Sequence, residues 1–178
     1  KQNLKLVQFN RPTLRMEKLN ESHQSLTGQQ DSLIEFWVEG IPRPQGSKRH
    51  VGNGRMVEAS KHTKQWRKAV SQAALAAFTG EPISGPVSVA FQFLFPRPKS
   101  HYRTGRNAAI LRQGAPSHPT SRAVGDLDKL ARALCDSVSV TSGGTVLQDD
   151  SQVVGLWSEK EWAQRDETPG VYVRIFCL

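Results

Sequence analysis

Two groups of aspartates have the residue type and spacing of a site that could do chemistry. Asp126 and Asp128 flank a leucine at the start of an apolar-periodic stretch, and Asp149 and Asp150 follow 21 and 22 positions after Asp128. The leucine is expected to point into the core, which leaves both flanking carboxylates accessible in the first turn of a helix, where negative charge is favoured. The turn over residues 141–148 can then bring the second pair back beside that end of the helix.

Carboxylates that converge in this way need a cation to join them. Three or four together repel one another otherwise, and oxygen-only ligands suit Mg²⁺ or Mn²⁺. Cys135 and Cys177 have neither zinc-ligand nor disulfide spacing, and we expect buried thiols in a reducing cytoplasm. Such a cluster suits metal-assisted phosphodiester hydrolysis, in which the metal polarises the phosphate and activates water while Lys and Arg stabilise the developing charge.

Simpler structural roles also account for these aspartates. Asp126 could be only a helix N-cap, and Asp149-Asp150 only a turn before a strand. Asp128, Arg132 and Asp136 are spaced i, i+4 and i+8, which is also the spacing of a surface salt-bridge ladder. Spacing alone leaves the metal site and the structural roles open.

The net charge of +8 is unevenly distributed along the 178 residues. Residues 42–125 carry 14 basic and two acidic groups, a charge of +12, whereas residues 126–178 carry five basic and nine acidic groups, a charge of −4. Segregation on this scale indicates a polyanionic partner and a separate acidic focus, which fits nucleic acid and a metal site. No stretch approaches the roughly 20 apolar residues of a membrane span, so a globular protein is expected.

The elements that must position these residues are strands and helices in alternation. Apolar patterning predicts strands over residues 33–38, 86–95, 152–157 and 170–178. Helical periodicity predicts helices over residues 61–78, capped by Ser60, and 126–138. This order predicts a mixed α/β fold with a single mixed sheet and two main helices.

Three segments lie outside the regular pattern. Residues 1–32 form a polar N-terminal extension, so the domain is expected to span residues 33–178. Asn53-Gly54 predicts the tip of a hairpin. Residues 96–125 carry six Arg or Lys and no acid, and they lead directly into Asp126. Because a loop this long in a compact domain is normally functional, we expect it to face the substrate.

The two aspartate motifs resemble a known enzyme family, the RusA family of Holliday junction resolvases. That family has Arg-Asp-Leu-Asp-Asn-Leu, then a Lys, then Asp-Asp-Ala-Gln-Val-Val at this separation. The residues that carry the resemblance are Val-Gly-Asp126-Leu-Asp128-Lys-Leu, then Arg132 and Asp136, then Leu-Gln-Asp149-Asp150-Ser-Gln-Val-Val. The resemblance covers roughly residues 33–177. It implies a homodimeric, Mg²⁺- or Mn²⁺-dependent endonuclease that cuts two opposed strands of a four-way junction.

The resemblance also implies roles for the acidic residues. Asp126 and Asp128 match the two carboxylates of the family's Asp-x-Asp motif. Asp150 matches the third essential carboxylate, and Asp149 is its neighbour. All four are therefore expected at the metal.

The cationic partner departs from the family pattern. The family's catalytic Lys aligns with Arg132, which keeps the charge but cannot donate a proton as Lys could. Lys129 stands where the family usually has Asn, three residues before Arg132 on the same helix face, so it is a second candidate for the cation. Lys160 matches a basic position of some members, although a cross-strand ion pair is an equal alternative.

These observations predict a metal-dependent, structure-selective DNA endonuclease that resolves four-way junctions in recombination and repair, as a cytoplasmic, DNA-associated homodimer. Its expected DNA-binding residues are Lys48, Arg49, Arg55, Arg103, Arg106 and Arg122. A flap or general DNase on the same fold and a non-catalytic junction-binding protein are the alternatives. A nuclease directed at RNA is less favoured because no aromatic stacking platform is apparent.

Overall fold

The computed structural model describes residues 33–46, 48–50, 52, 56–58, 61–165 and 167–178. Its strands are β1 (Leu33–Glu39), β2 (Lys48–His50), β3 (Met56–Glu58), β4 (Val87–Phe95), β5 (Val153–Trp162) and β6 (Gly170–Cys177). Its helices are α1 (Lys61–Ala77) and α2 (Leu127–Val138). The predicted N-terminal extension, the Asn53-Gly54 tip, Arg55 and the Ser60 cap lie outside the described residues.

Four strands form one mixed sheet in the order β1-β6-β4-β5. The pairs β1–β6 and β6–β4 are antiparallel, whereas β4 and β5 are parallel. The strands β2 and β3 pair separately as a small antiparallel hairpin. The predicted α/β class, with one mixed main sheet and two helices, is therefore confirmed. Strand β5 extends beyond the predicted residue 157 because its pairing with β4 continues as far as Phe95 and Trp162.

The core lies between this sheet and the two helices. On β4, Val87, Phe91 and Phe93 are completely buried, as the sequence predicts. Burial does not alternate along this strand, however, because Gln92 and Leu94 are buried as well. Trp66 and Val70 of α1 belong to the same buried cluster. One strand of large apolar residues thus faces two amphipathic helices, and hydrophobic burial explains the layered arrangement.

Helix α2 turns most of its predicted apolar side inward, although Leu127 in the first turn is only half-buried. The residues that are at most 2% exposed include Leu130, Ala131, Leu134 and Val138. Asp128, Lys129 and Arg132 are exposed on the other side. The helix therefore presents a row of charged side chains to solvent because its leucines are anchored below.

The chain reverses tightly after α2. The amides of Val146 and Leu147 both donate to the carbonyl of Val138, at 2.9 and 3.0 Å. Gly144 is needed in this turn because a Cβ there would lie 2.4 Å from the carbonyl carbon of Val138. Asp149 and Asp150 therefore return beside the last turns of α2. The sequence analysis placed them beside its first turn.

Two smaller findings concern the cysteines and the helices. Cys135 and Cys177 are each only partly buried, whereas full burial was expected. Burial raises the pKa of the Cys135 thiol to about 12, with smaller effects from the charges of Asp150 and Asp136. Within the described ranges, no helix has the length and apolar character needed to cross a membrane.

Candidate active site

Asp126 occupies the N-cap position of α2, yet its side chain does not cap the helix. Its backbone is extended, with φ −80° and ψ 142°, and its carboxylate makes no capping hydrogen bond. Asp126 and Asp128 are both exposed, one on each side of the half-buried Leu127. The cap alternative therefore does not account for the Asp126 carboxylate, which remains accessible for other chemistry.

Several cations surround the Asp126 carboxylate. The Lys129 ammonium donates to Oδ2 of Asp126 at 2.7 Å. This hydrogen bond, followed by the Lys129 charge and smaller effects of Lys160 and Arg122, holds the pKa of Asp126 below its usual value. Asp126 is thus ionised at neutral pH. Three basic side chains therefore act on the Asp126 carboxylate at the start of α2.

Lys160 connects the sheet to this carboxylate. It lies on β5 opposite the buried Phe93, and its Nζ donates to the carbonyl of Gly125 at 2.8 Å. Of the two alternatives for Lys160, the cross-strand ion pair is not formed within the described residues. The ammonium instead fixes the residue that directly precedes Asp126.

The Pro-rich loop after β1 also contacts Gly125, the residue before Asp126. Gly125 has φ +89°, and a Cβ there would lie 2.6 Å from Cγ of Pro44. The Gln45 amide donates to the Lys129 carbonyl at 3.0 Å, and the Thr63 hydroxyl donates to the Pro44 carbonyl at 3.1 Å. Glycine is required at position 125 because both the backbone angle and the contact with proline exclude a side chain.

Asp149 has the turn role that the sequence analysis left open. Its Oδ1 accepts from the Ser151 amide at 2.9 Å, and its Oδ2 accepts from the Thr141 hydroxyl at 3.1 Å. The Gln152 side chain accepts in return from the Asp149 amide at 2.9 Å, which completes a capping box. Hydrogen bonds from Ser151 and Thr141 lower the pKa of Asp149. Both of its carboxylate oxygens are engaged within the turn.

Asp150 lies in a different electrostatic environment. Burial, followed by the charges of Asp136 and Asp149, raises the pKa of Asp150, and the Asp136 carboxyl is within hydrogen-bonding reach. Asp136 is in turn 4.0 Å from the guanidinium of Arg67 on α1, which also donates to the Asp136 carbonyl at 3.4 Å. The contact with Asp136 gives Asp150 a carboxylate neighbour that the sequence analysis did not assign to it.

The predicted carboxylates are therefore distributed along α2. Asp128 and Asp136 are eight residues apart, which is about 12 Å of helix. Among the described residues, no three His, Cys, Asp or Glu side chains converge as a metal-ligand group. The donor chemistry nevertheless fits a hard divalent cation, because every acidic group along α2 offers oxygen ligands. The adjacent carboxyls of Asp136 and Asp150 are also a pair that a cation neutralises.

Arg132 projects from the exposed face of α2 between Asp128 and Asp136. In the part of the chain that the structure describes, Arg132 makes no hydrogen bond or ion pair, so the salt-bridge ladder is not formed. Asp136 pairs with Arg67 of α1 instead. The Arg132 guanidinium is consequently available to a ligand.

The predicted DNA-binding residues have several locations. Arg103, Arg106 and Arg122 are exposed in the long loop before α2, and the Arg122 charge reaches Asp126. Lys48 and Arg49 lie on strand β2 of the small hairpin. Arg55 is outside the described residues.

Sequence reasoning missed two contacts at this site. The sequence analysis gave Arg67 of α1 no part in this site, yet its guanidinium contacts Asp136 of α2. The sequence analysis also gave the prolines after β1 no part in the site, yet Pro44 packs against Gly125. The contact between Pro44 and Gly125 could have been inferred from the two prolines after β1 and from the glycine directly before the Asp-Leu-Asp motif.

Comparison with known proteins identifies the family. A family model described as endodeoxyribonuclease RusA matches residues 38–176 of the 178 residues, from β1 to β6 and through both aspartate motifs. A search of curated proteins found no match. Because the family model covers most of the chain, including the start of α2 and the turn at Asp149-Asp150, this protein belongs to the RusA family of endodeoxyribonucleases.

Proposed function

We propose that this chain is a divalent-metal-dependent endonuclease that resolves four-way DNA junctions and acts as a homodimer in recombination or repair. Holliday junction cleavage is the activity that the RusA family implies. The observation that carries the proposal within the chain is the uncapped Asp126 carboxylate, exposed with Asp128 in a field of basic side chains.

Asp126 and Asp128 are the residues that would hold Mg²⁺ or Mn²⁺ at the start of α2. The resemblance implies Asp150 as a third ligand, but Asp150 lies beside Asp136, which is about 12 Å further along the helix than Asp128. A metal bound at the start of α2 would polarise the scissile phosphate and activate water. Asp149 is placed differently, since its two oxygens are engaged in the capping box. Its role in the proposal is to orient the turn that presents Asp150.

The basic residues supply the remaining electrostatic stabilisation. Lys129 and Arg132 lie on the exposed side of α2 near the aspartates, and Lys160 approaches from β5. Positive groups that are already in place stabilise the charge that develops on a phosphate in the transition state without further reorganisation. Arg132 keeps the fork geometry that matches phosphate oxygens.

A homodimer suits the substrate for reasons of symmetry. A four-way junction presents two equivalent strands for cleavage, and an isologous pair of protomers presents two equivalent sites. The basic segment over residues 42–125, with its charge of +12, would contact the phosphate backbone on each side.

The test is cleavage of a labelled synthetic four-way junction compared with linear duplex, in Mg²⁺ or in EDTA, for the wild type and Asp128→Asn. We expect paired nicks on the junction that require Mg²⁺ and are lost in the variant. Equal cleavage of linear duplex would instead indicate a general DNase. Tight junction binding without cleavage in Mg²⁺ or Mn²⁺ would indicate a binding protein, and unchanged cleavage by Asp128→Asn would refute the site.

A further inference from the structure

Part of the long loop before α2 folds into a small projection. Tyr102 and Leu111 pair as an antiparallel bridge. The Arg103 amide donates to the Ile110 carbonyl at 2.8 Å, and the Arg112 amide donates to the His101 carbonyl at 2.9 Å. A single turn of 3₁₀ helix over Gly105–Asn107 reverses the chain between these two legs. We call residues 101–112 the basic finger.

A single tryptophan anchors the finger to the domain. The His101 ring meets the Trp162 ring edge-on, with centroids 5.3 Å apart, and the Arg97 guanidinium lies 5.5 Å from the Trp162 centroid. The Trp162 indole and the Arg97 guanidinium both donate to the Pro116 carbonyl, at 3.1 and 2.9 Å. Both ends of the loop therefore converge on Trp162, which holds the base of the finger in one place.

This anchor lies next to the candidate active site. Trp162 and Lys160 are two positions apart on β5 and face the same side of the sheet, opposite Phe95 and Phe93. Two residues along a strand correspond to about 7 Å. Lys160 bonds to Gly125, directly before Asp126. One strand thus positions both the candidate carboxylate and the finger.

The exposed surface of the finger combines positive charge with apolar side chains. Arg103 and Arg106 are exposed, and the chain has no Asp or Glu between Glu81 and Asp126. Ile110 is 48% and Leu111 42% exposed. A partner that matches this surface offers anionic groups and apolar faces side by side.

We propose that the basic finger binds branched DNA at the point where the strands part, an inference that rests on the proposed function. Arg103 and Arg106 contact phosphates there, and Ile110 and Leu111 pack against base faces. Inserting an apolar side chain into an intact duplex requires a base step to be unstacked, whereas continuous stacking is already interrupted where strands exchange at a branch point, so insertion costs less there. The finger therefore contributes selectivity for branched over linear DNA, in addition to backbone affinity.

The test uses the full chain in EDTA, so that neither metal nor cleavage affects the result. A four-way junction carries 2-aminopurine at the branch point, and a linear duplex carries it in the same sequence context. We expect the wild type to increase the fluorescence of the junction probe only. The double variant Ile110→Ser/Leu111→Ser should lose this increase while it still binds the junction. The control Leu75→Ser removes an equally exposed leucine, 52% exposed on α1, and should retain the increase.

A second variant separates the charges from the apolar side chains. Arg103→Ala/Arg106→Ala should weaken junction and duplex binding alike and reduce the slope of log affinity against log salt by about two. An unchanged fluorescence increase in the Ile110/Leu111 variant would overturn the inference and leave the nuclease proposal intact. No junction binding by the wild type at low salt would overturn both. Finger-dependent binding to anionic phosphatidylserine vesicles but not to DNA would assign the surface to a membrane, and this too would overturn the inference.

Discussion

At the scale of single residues, the two ends of α2 hold carboxylates in opposite electrostatic environments. Lys129 and other cations keep Asp126 ionised, whereas burial and the charges of Asp136 and Asp149 oppose ionisation of Asp150. Accessible carboxyls whose pKa values are shifted by specific neighbours are candidates for function. Asp149 differs from both, because its carboxylate completes a local turn.

Asp126→Asn should separate function from stability. Because the Asp126 side chain makes no capping hydrogen bond and its ion pair with Lys129 is exposed, the unfolding free energy should stay close to that of the wild type. Junction cleavage should fall by roughly 10²-fold or more, because a charged ligand of the proposed metal site is lost. Urea unfolding and single-turnover cleavage measure the two effects.

Asp149→Ala provides the matched contrast. Loss of the hydrogen bonds that Asp149 accepts from the Ser151 amide and the Thr141 hydroxyl should lower stability, whereas Asp126→Asn should not. A variant Asp126→Asn that unfolds early, or one that keeps wild-type cleavage, would contradict the assignment of Asp126.

The neighbouring carboxyl of Asp136 should affect the pH dependence of cleavage. If ionised Asp150 is required, activity falls as the pH drops through its raised pKa. Asp136→Asn removes a like charge beside Asp150, so the pKa of Asp150 should fall and the acidic limb of the pH profile should move to lower pH. The measurement is kcat/KM for junction cleavage against pH at fixed Mg²⁺.

Glu161→Gln, a change of the same type on β5, serves as the control and should leave the limb in place. An acidic limb that stays where it is in Asp136→Asn, or moves to higher pH, would show that Asp150 does not govern it.

At the scale of elements, the start of α2 is fixed by segments that are distant in the chain. The Pro-rich loop after β1 packs on Gly125 from one side, and Lys160 of β5 bonds to its carbonyl from the other. The same strand carries Trp162, which anchors the basic finger. The position of Asp126 therefore depends on the Pro-rich loop, on α1, whose Thr63 bonds to Pro44, and on β5.

Gly125→Ala should test this support. The variant combines a left-handed backbone angle with a contact of 2.6 Å to Pro44, so we expect a loss of roughly 2–4 kcal/mol in unfolding free energy and weakened cleavage. Gly114→Ala is the control, because Gly114 has φ +78° but nothing within 4 Å of a Cβ. It should lose only about 1–2 kcal/mol.

The contact can be isolated further in the double variant Gly125→Ala/Pro44→Gly, which removes the ring and should recover part of the stability. Equal losses in Gly125→Ala and Gly114→Ala would mean that the Pro44 contact contributes nothing.

At the scale of the whole molecule, charge is arranged in two blocks. The segment over residues 42–125 has a charge of +12 and that over residues 126–178 a charge of −4. Within the described part of the chain, the long basic loop leads directly to the acidic helix start. This arrangement attracts a polyanion over a wide area and presents carboxylates at one place on it.

Binding to a four-way junction should therefore depend steeply on salt. A protein that neutralises roughly six to ten phosphates loses about 10³- to 10⁵-fold in affinity between about 50 and about 200 mM salt, and we expect a loss in this range. The measurement is fluorescence anisotropy of a labelled junction in EDTA, with sedimentation of the free protein to establish whether it is a dimer. A loss of less than about tenfold would contradict a backbone-binding role for the basic segment.

The amino-acid sequence by itself determined the elements and the accessible aspartates. The apolar alternation on β4 and the helical period of α2 are local properties of the chain, and they identify a strand and a helix. Burial of β4 on both faces, including Ala90, Gln92 and Leu94, depends on the tertiary structure instead. The helical period also predicts exposure of Asp126 and Asp128, because the leucines of α2 face the core. The resemblance to the RusA family was likewise visible in local motifs with a defined separation, and the family model over residues 38–176 confirms it.

Only the tertiary structure decided which distant groups meet. The turn after Val138 returns Asp150 to Asp136, Lys160 reaches Gly125, and Trp162 holds the finger. Each contact joins segments whose relative position is set by strand register and by packing of two helices on one sheet. Periodicity along the chain carries no information about register between distant strands, because register depends on interactions across the whole core.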